Sequence, residues 1–599
     1  MMSTLHNREE VEAQYKWDIE SMYSSLEGWE KEFKDLEERM DAVEAYKGKI
    51  LESEKTLLEM VDLLLKNERQ LTNLYTFAKM KLDEDTNNNT FQSMTMRAEF
   101  LGVNLSAKAS FVVPEILAGD EGLLRNYLKS EDLKIYTRYF EEILREKPHV
   151  LNESEEKLLA EAGEILGGAQ QAFGMLNNAD LTFPIIKDEN GNDLQLSHGS
   201  FIPTMESKNR GVRKEAFEKF YEVYGNHKNV MASLISSNVK GHTFNAKVRH
   251  YDSARQAALS QNNVPETVYD QLIEAVHEHL PAMHKYMAIR KKALKLEELH
   301  MYDLYVPIVA DVDIKVAYEE AKEMTLKALK PLGEGYIDVV KSAFNEGWID
   351  VYENKGKRSG AYSWGTYDSK PFILLNYHDT LDNAFTLVHE MGHSMHSYLT
   401  RKNQPFVYGE YSIFVAEVAS TTNEALLNQY LLKNVEDPKE KLFILNHYLE
   451  QFRTTVYRQT MFAEFERDIH AIVESGGALT AEVLSNHYRD LNVKYYGPEM
   501  VVDDEIALEW ARIPHFYYDF YVYQYATGFS AAIALSNKIL NEGQPAVDKY
   551  LEFLSSGSSD EPIKVLQRAG ADMLTKEPVA NALAIFSDLV DEMEKLMEV

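Results

Sequence analysis

Apolar residues recur at helical spacing through most of the first 180 residues. One helical face is lined by Trp29, Phe33, Leu36, Met40 and Val43, which follow each other at intervals of three or four positions. After a short break a second stripe is formed by Leu57, Met60, Val61, Leu64, Leu71, Leu74 and Ala78. The two stripes predict a long antiparallel helical hairpin whose apolar faces form core.

The helical pattern is interrupted at two places. Residues 181–198 contain short β-prone runs on either side of Asn190–Gly191, a dipeptide typical of hairpin turns. Residues 355–377 are rich in glycine and serine and end in the apolar run Pro371–Tyr377, which predicts a strand. Both interruptions indicate small β elements in a chain that is otherwise helical.

Few residues break the helical pattern elsewhere. Proline accounts for 16 of 599 residues and glycine for 29, below the usual shares of about 5% and 7%. Pro265 is expected to open a helix, and Pro281 should kink or restart it. We expect a mainly α fold with an organisational boundary near residue 200, between an N-terminal helical region, 1–200, and a catalytic region, 201–599.

Charge and cysteine content exclude several classes of protein. The chain has 63 basic and 96 acidic residues, a net charge of −33. Nucleic-acid binding needs a basic surface, so no nucleic-acid partner is expected, and anionic membranes are disfavoured. The absence of cysteine rules out disulfides and thiolate zinc sites and fits a cytoplasmic protein. No signal peptide and no uninterrupted apolar run near 18 residues are visible, so no membrane span is expected.

A metal-binding motif stands in the segment 381–400. His389, Glu390 and His393 form the pattern H-E-x-x-H. On a helix the two histidines lie on one face, about 6 Å apart, and can bind a single zinc ion. Glu390 points about 100° away, where it can act as a general base without being a ligand. The alternative is a pair of core histidines with ordinary hydrogen-bond partners.

A catalytic zinc ion also needs a third protein ligand. One known pattern, H-E-x-x-H-x-x-G-x-x-H, supplies a third histidine. It does not fit this chain, because its last position is occupied by Leu399. The other pattern takes a glutamate from a following helix, and Glu417 lies in the apolar run Ile413–Ala419, 24 residues after His393. An unpaired carboxylate would be costly there, so we expect Glu417 to be buried and to bind the metal. Glu424 follows on the same face and could orient a ligand histidine.

Tyrosines crowd the segment 513–528, which reads IPHFYYDFYVYQYATG. Tyrosine and histidine donors suit the oxyanion that forms when water attacks an amide, although plain packing is the alternative. The spacing does not decide which tyrosines face the metal. On a helix Tyr518, Tyr521 and Tyr525 would share one face. We select His515, Tyr518 and Tyr525 as the donors.

Together these segments resemble the oligoendopeptidase F group of thimet-oligopeptidase-like zinc metallopeptidases. The matching stretches, in the order that the family shows, are 360–363 (GAYS), 371–376 (PFILLN), 386–393 (TLVHEMGH), 414–421 (FVAEVAST), 458–466 (RQTMFAEFE) and 513–528.

The resemblance implies a two-lobed helical fold around a deep channel that admits short peptides. It also implies one zinc ion bound by His389, His393 and Glu417, with Glu390 as the base and with His515, Tyr518 and Tyr525 stabilising the tetrahedral intermediate. It further implies that the strand at 371–376 pairs with the extended substrate.

The expected activity is zinc-dependent hydrolysis of internal bonds in short unstructured peptides. One alternative is a zinc carboxypeptidase or dipeptidyl carboxypeptidase on a similar helical scaffold. Another, from a different class, is a non-catalytic helical peptide-binding protein. The sequence does not indicate an oligomeric state, and it does not distinguish zinc from cobalt or manganese.

Overall fold

The computed structural model describes residues 5–309 and 314–598. Its contacts divide the chain into two compact units, each assembled from three segments. Unit 1 comprises Met1–Lys147, Asp313–Tyr430 and Leu535–Gly570, and unit 2 comprises Pro148–Val312, Leu431–Ala534 and Ala571–Val599. The boundary expected near residue 200 stays a prediction.

Helices dominate the described residues, as the spacing of apolar positions predicts. In chain order the α-helices are Leu26–Arg39, Glu54–Glu84, Asn89–Ala109, Val112–Ala118, Glu121–Tyr127, Thr137–Arg145, Glu153–Leu166, Gly168–Met175, His198–Met205, Arg210–Val248, Ala254–Ser260, Glu266–Glu278, Leu280–Ala293, Tyr318–Ala328, Glu334–Asn345, Leu381–Asn403, Ile413–Asn434, Pro438–Phe452, Arg458–Glu474, Ala481–Tyr496, Tyr523–Glu542, Gln544–Leu554, Pro562–Ala569 and Glu577–Glu598. The mainly α fold class is confirmed.

The strands among the described residues are short and form three small sheets. Ile185–Lys187 pairs with Asp193–Gln195 in an antiparallel hairpin. Leu299–His300 pairs with Met500–Val501 in parallel. The third sheet, in unit 1, has Phe372–Leu374 in the middle. This strand pairs in parallel with Ile349–Asp350 and antiparallel with Tyr362–Trp364.

The N-terminal apolar stripes form part of the core of unit 1. Trp29, Phe33 and Leu36 are buried against the long helix Glu54–Glu84, and the Trp29 indole donates a hydrogen bond to the Leu74 carbonyl. The same core includes Phe372 and Leu374 of the central strand. The prediction that these stripes are core is confirmed.

The predicted hairpin turn and the predicted helix starts near the two prolines are also confirmed. The hairpin turns at Gly191, whose φ of 84° lies in the left-handed region that favours glycine. A helix runs from Glu266 to Glu278, directly after Pro265, and the next helix begins at Leu280 with Pro281 in its first turn. Proline is tolerated there because the first-turn N–H groups have no partner within the helix.

One helical stretch has the length and composition of a membrane span. Among the described residues, Asn89–Ala118 has a mean hydropathy of 1.3 over its most apolar window, of which 28% is buried. Isolated polar residues interrupt this stretch, so it is not the uninterrupted apolar run whose absence was noted, and the expectation of no membrane span stays a prediction. A single stretch of this kind is weak evidence for a membrane span.

Candidate active site

The helix Leu381–Asn403 carries the H-E-x-x-H motif in unit 1. It begins at Thr380, whose hydroxyl accepts a hydrogen bond from the Asn383 backbone N–H and so caps the helix. Most of its apolar side chains are buried, which fixes the rotation of the helix about its axis. The positions of the motif side chains therefore follow from the packing of this helix.

Three ligand-type atoms converge at the motif. The Nε2 atoms of His389 and His393 lie 3.2 Å apart, and Oε2 of Glu417 lies 3.4 Å from each of them. In a tetrahedral site with zinc–ligand bonds of about 2.0–2.1 Å, neighbouring ligand atoms lie about 3.3 Å apart. The donor set and its spacing thus fit a zinc ion, and sequence reasoning selected all three residues.

Glu417 is more exposed than its apolar neighbours led us to expect. Its side chain is 41% exposed, so the expectation of a buried carboxylate is wrong. Helix Ile413–Asn434 buries Val418 and Ala419 on its other side, and Glu417 faces the histidines at the edge of that packed surface. The case for Glu417 as a metal ligand therefore depends on its closeness to His389 and His393 and not on burial.

Gly392 allows the helices that carry the histidines and Glu417 to pack closely. A Cβ atom at this position would lie 2.5 Å from Cα of Ser420 and 2.7 Å from the carbonyl oxygen of Ala419. Only glycine fits such a contact between two backbones. Gly392 lies one residue from His393, and Ser420 lies three from Glu417, so this contact sets the separation of the ligand atoms. Sequence reasoning did not single out Gly392.

Glu424 orients the first histidine. Its Oε1 lies 2.7 Å from Nδ1 of His389, so this nitrogen donates to the carboxylate and Nε2 is left facing His393 and Glu417. The predicted contact of Glu424 with a histidine of the motif is confirmed. Burial lowers the pKa of His389, but the carboxylates of Glu417 and Glu424 outweigh it and hold that pKa well above its usual value.

Glu390 is buried beside the cluster. Its residue is only 7% exposed. Burial raises the pKa of its carboxyl, and the neighbouring His389 and His393 partly oppose that rise. A raised pKa makes a carboxylate a better proton acceptor, which suits a general base.

The strand beside the motif helix differs from the expectation drawn from the family. Phe372–Leu374 pairs on both edges, so it has no free edge for a peptide, and the expected pairing of 371–376 with substrate is wrong. Tyr362–Trp364 is an outer strand of this sheet, and the Ser363 and Ser394 hydroxyls hydrogen-bond at 2.7 Å to fix it on the motif helix. The order of strands depends on long-range pairing, which the apolar run alone did not reveal.

The tyrosine segment forms an aromatic cluster in unit 2. His515 has its ring centroid 5.5 Å from that of Tyr518, 6.2 Å from Tyr521 and 5.9 Å from Tyr525. Its Nε2 lies 3.4 Å from the Tyr525 hydroxyl. Burial, and then the charge of Arg458, lower the pKa of His515. The selected residues His515, Tyr518 and Tyr525 therefore lie together, and Tyr521 joins them.

Two of the five candidate tyrosines are core residues. Tyr517 stacks on Phe173, and Tyr523 is buried against Tyr269. The shared helical face used to group Tyr518 with its neighbours is wrong, because the α-helix begins only at Tyr523. A turn brings Tyr518 and Tyr521 to His515 instead, and Tyr518 remains 46% exposed.

Two family models match the chain. The model for peptidase family M3 matches residues 204–585, and the model described as Oligopeptidase F matches residues 115–183. The chain belongs to peptidase family M3. Membership of this metallopeptidase family agrees with the convergence of His389, His393 and Glu417, and it makes the chain a peptide-bond hydrolase.

Relatives of this M3 peptidase extend over its full length. Oligopeptidase PepF of Bacillus subtilis is 54% identical, over 99% of this chain and 89% of the relative. Group B oligopeptidase PepB of Streptococcus agalactiae is 46% identical, over 99% of this chain and 98% of the relative.

Solved structures agree with the fold. A putative peptidase from Chlamydophila abortus has a TM-score of 0.94 at 38% identity, covering 99% of this chain and 100% of that one. Oligoendopeptidase-F from Enterococcus faecium has a TM-score of 0.75 at 42% identity, covering 95% of this chain and 98% of that one. The expected resemblance to oligoendopeptidase F is confirmed.

Proposed function

We propose that this M3 peptidase is a zinc-dependent endopeptidase that hydrolyses internal bonds of short unstructured peptides in the cytoplasm. The observation that carries the proposal is the convergence of His389, His393 and Glu417 beside the buried Glu390. The names of its relatives support oligopeptides as the substrate class. The lack of cysteine fits a reducing compartment.

One zinc ion per chain would be held by His389, His393 and Glu417. These two nitrogens and one carboxylate oxygen are a donor set found in catalytic zinc sites, which keep a further position open. When bound, zinc supplies a Lewis acid that acidifies water and polarises a carbonyl group. Glu424 fixes the tautomer of His389, so that Nε2 is available as a ligand.

Glu390 moves the proton in this mechanism. Its carboxylate takes a proton from the water that attacks the scissile carbonyl carbon. It then delivers that proton to the amide nitrogen as the C–N bond breaks. The raised pKa of its carboxyl strengthens it as the proton acceptor of the first step, and a pKa moved towards neutral balances that step against release of the proton in the second.

His515, Tyr518 and Tyr525 are proposed to donate hydrogen bonds to the oxyanion of the tetrahedral intermediate. Their rings form one cluster, and Tyr518 keeps nearly half of its surface exposed. Burial and Arg458 lower the pKa of His515, so a neutral imidazole is available as a donor near pH 7. Donors of this type are worth about 10²–10³-fold in turnover.

The outer edge of Tyr362–Trp364 is proposed to bind the substrate backbone by strand addition. Next to it lies a cavity of about 390 Å³, lined by Gly360, Ala361, Asn376 and Thr386 among others. Oδ1 of Asn376 is buried and accepts no hydrogen bond from the described residues. The main chain of an extended peptide would pair with the outer edge of this strand.

The test is mass spectrometry of an unstructured peptide of about a dozen residues after incubation with the purified protein. Wild type is compared with Glu390→Gln, each with and without a chelator. We expect internal cuts that disappear with the chelator and fall about 10²–10⁴-fold in the variant, which keeps its zinc. Removal of residues only from the C-terminus would indicate a carboxypeptidase. An intact peptide with zinc-loaded wild type would overturn the endopeptidase proposal.

A further inference from the structure

A second cluster of histidine and carboxylate lies in unit 2 and shares no residue with the H-E-x-x-H motif. Nδ1 of His242 lies 3.1 Å from Nε2 of His470 and 3.2 Å from Oδ1 of Asp519. The three atoms all lie within 4.8 Å of one another. The two short separations are close to the value of about 3.3 Å between neighbouring ligands of a tetrahedral zinc ion.

Neighbouring groups orient both imidazoles of the cluster. Nδ1 of His470 donates to the carbonyl oxygen of Glu466 at 2.8 Å, so Nε2 presents its lone pair to the cluster. Nδ2 of Asn238 donates to Nε2 of His242 at 3.3 Å, so Nδ1 of His242 carries the proton in this hydrogen-bonded arrangement. A metal bound at Nδ1 would shift that proton to Nε2, where the amide oxygen of Asn238 would accept it once the amide has turned.

The cluster is largely shielded from water. His470 is buried, and the side chain of His242 is 14% exposed. Neutral imidazoles are the form that binds metals. A divalent cation would compensate for the cost of burying the Asp519 carboxylate beside them.

The third residue of the cluster belongs to the turn that carries the aromatic donors. Asp519 and Phe520 lie between Tyr518 and Tyr521 and have φ values of 50° and 58°. This left-handed region is unfavourable for non-glycine residues unless the surroundings hold it. The Phe520 N–H donates to Oε1 of Glu466 at 2.7 Å, and its ring packs 4.4 Å from that of His470.

We propose that His242, His470 and Asp519 form a second metal site, which binds a zinc-type divalent ion and thereby fixes the turn between Tyr518 and Tyr521. Two imidazole nitrogens suit zinc better than calcium or magnesium, and a carboxylate oxygen is a common third ligand of zinc. The ion would have a structural role and would take no part in catalysis. It would link two helices, at residues 242 and 470, to the turn at residue 519.

Metal counting tests the second site directly. Purified protein is equilibrated with zinc, dialysed, and analysed by plasma mass spectrometry. We expect about two zinc ions per chain in wild type and about one in each of His389→Ala, His242→Gln and Asp519→Asn. The double variant His389→Ala with Asp519→Asn should hold none. His6→Gln, which changes an exposed histidine, is the control and should retain both ions.

Two results would overturn the second site. One is a wild-type protein with a single zinc ion that His389→Ala removes completely. The other is an unchanged zinc content in both His242→Gln and Asp519→Asn. Circular dichroism checks that each variant is folded, and Asp519→Asn serves if His242→Gln does not fold, because it changes only one partly exposed side chain. In either overturning case the cluster is a hydrogen-bonded network without a metal.

Discussion

The two histidine–carboxylate clusters have similar spacing but different surroundings. The nitrogen pair is 3.2 Å apart at His389 and His393, and 3.1 Å apart at His242 and His470. Each cluster has a buried glutamate next to one of its histidines, Glu390 in the first and Glu466 in the second. Oε1 of Glu466 accepts a hydrogen bond from the Phe520 backbone N–H, whereas Glu390 is the residue that we propose as the general base. Similar ligand geometry therefore does not by itself mark a catalytic site.

The clusters also differ in how the chain builds them. The two histidines of the first lie four residues apart on one helix and its glutamate lies on the next long helix, so spacing along the sequence reveals the cluster. The second takes residues 242, 470 and 519 from separate elements, and no local pattern connects them. Variants of the first cluster should therefore affect catalysis directly, and variants of the second should affect only the position of the turn between Tyr518 and Tyr521.

The largest effect is expected from removing a ligand of the first cluster. His389→Ala should lose the zinc ion of that cluster and reduce peptide cleavage by about 10⁴-fold or more, since the Lewis acid is worth several kcal/mol. Peptide cleavage and zinc content are measured on the same sample. Retention of normal turnover in the variant would contradict the assignment of His389.

Gly392→Ala should have the next largest effect. The added Cβ would lie 2.5 Å from Ser420 Cα, so the two helices must separate and move Glu417 away from the histidines. A displacement of about 1 Å costs about 10²-fold in turnover. Zinc affinity and kcat are the measured quantities.

The matched control for this variant is Gly335→Ala. Gly335 is also helical and also lies in unit 1, but a Cβ there meets nothing within 4 Å. We expect unchanged kcat and a free energy of unfolding higher by about 0.4–1 kcal/mol. Equal loss of activity in both variants would argue against the close helix contact as the cause.

Glu424→Gln should weaken the first cluster without destroying it. The amide accepts a weaker hydrogen bond from His389 Nδ1 than the carboxylate does, so the ring is oriented less firmly. Loss of such a partner costs about 10–100-fold in metal affinity or activity. Zinc titration against a competing chelator measures the change, and wild-type affinity in the variant would show that Glu424 does not support the ligand.

The smallest effect is expected from Asp519→Asn, which releases the turn of the second cluster. The zinc ion at His389 should remain, while kcat falls by about 10-fold as Tyr518 and Tyr521 lose their fixed position. Steady-state kinetics on one peptide measures the fall in kcat, and zinc analysis of the same sample shows whether the ion at His389 is retained. A loss of the first zinc ion as well would show that the substitution disturbs more than the turn.

Local chemistry explains which parts of the site could be predicted from the sequence. The helix fixes the spacing of His389 and His393, and the segment after it offered one glutamate in an apolar run. Glu417 lies with His389 and His393 as predicted, but the burial argument for it was wrong, because burial depends on packing between helices. Gly392 carried no signal in a single sequence, since its role depends on the close approach of Ser420.

Other features depended on long-range pairing. The hairpin at Asn190–Gly191 follows from turn chemistry and was predicted. The order of strands around Phe372–Leu374 does not follow from local chemistry. The sequence analysis expected a free edge on this strand, which is paired on both edges. The helical grouping of Tyr518 and Tyr521 failed because a turn with left-handed residues interrupts the segment.

The most direct test of the account is anomalous X-ray diffraction at the zinc absorption edge, from crystals of zinc-loaded wild-type protein. We expect a strong peak between His389, His393 and Glu417, and a second between His242, His470 and Asp519. A map with only the first peak would confirm the proposed catalytic centre and remove the second site. A map with no peak at His389 and His393 would contradict the central claim that this cluster holds the catalytic metal.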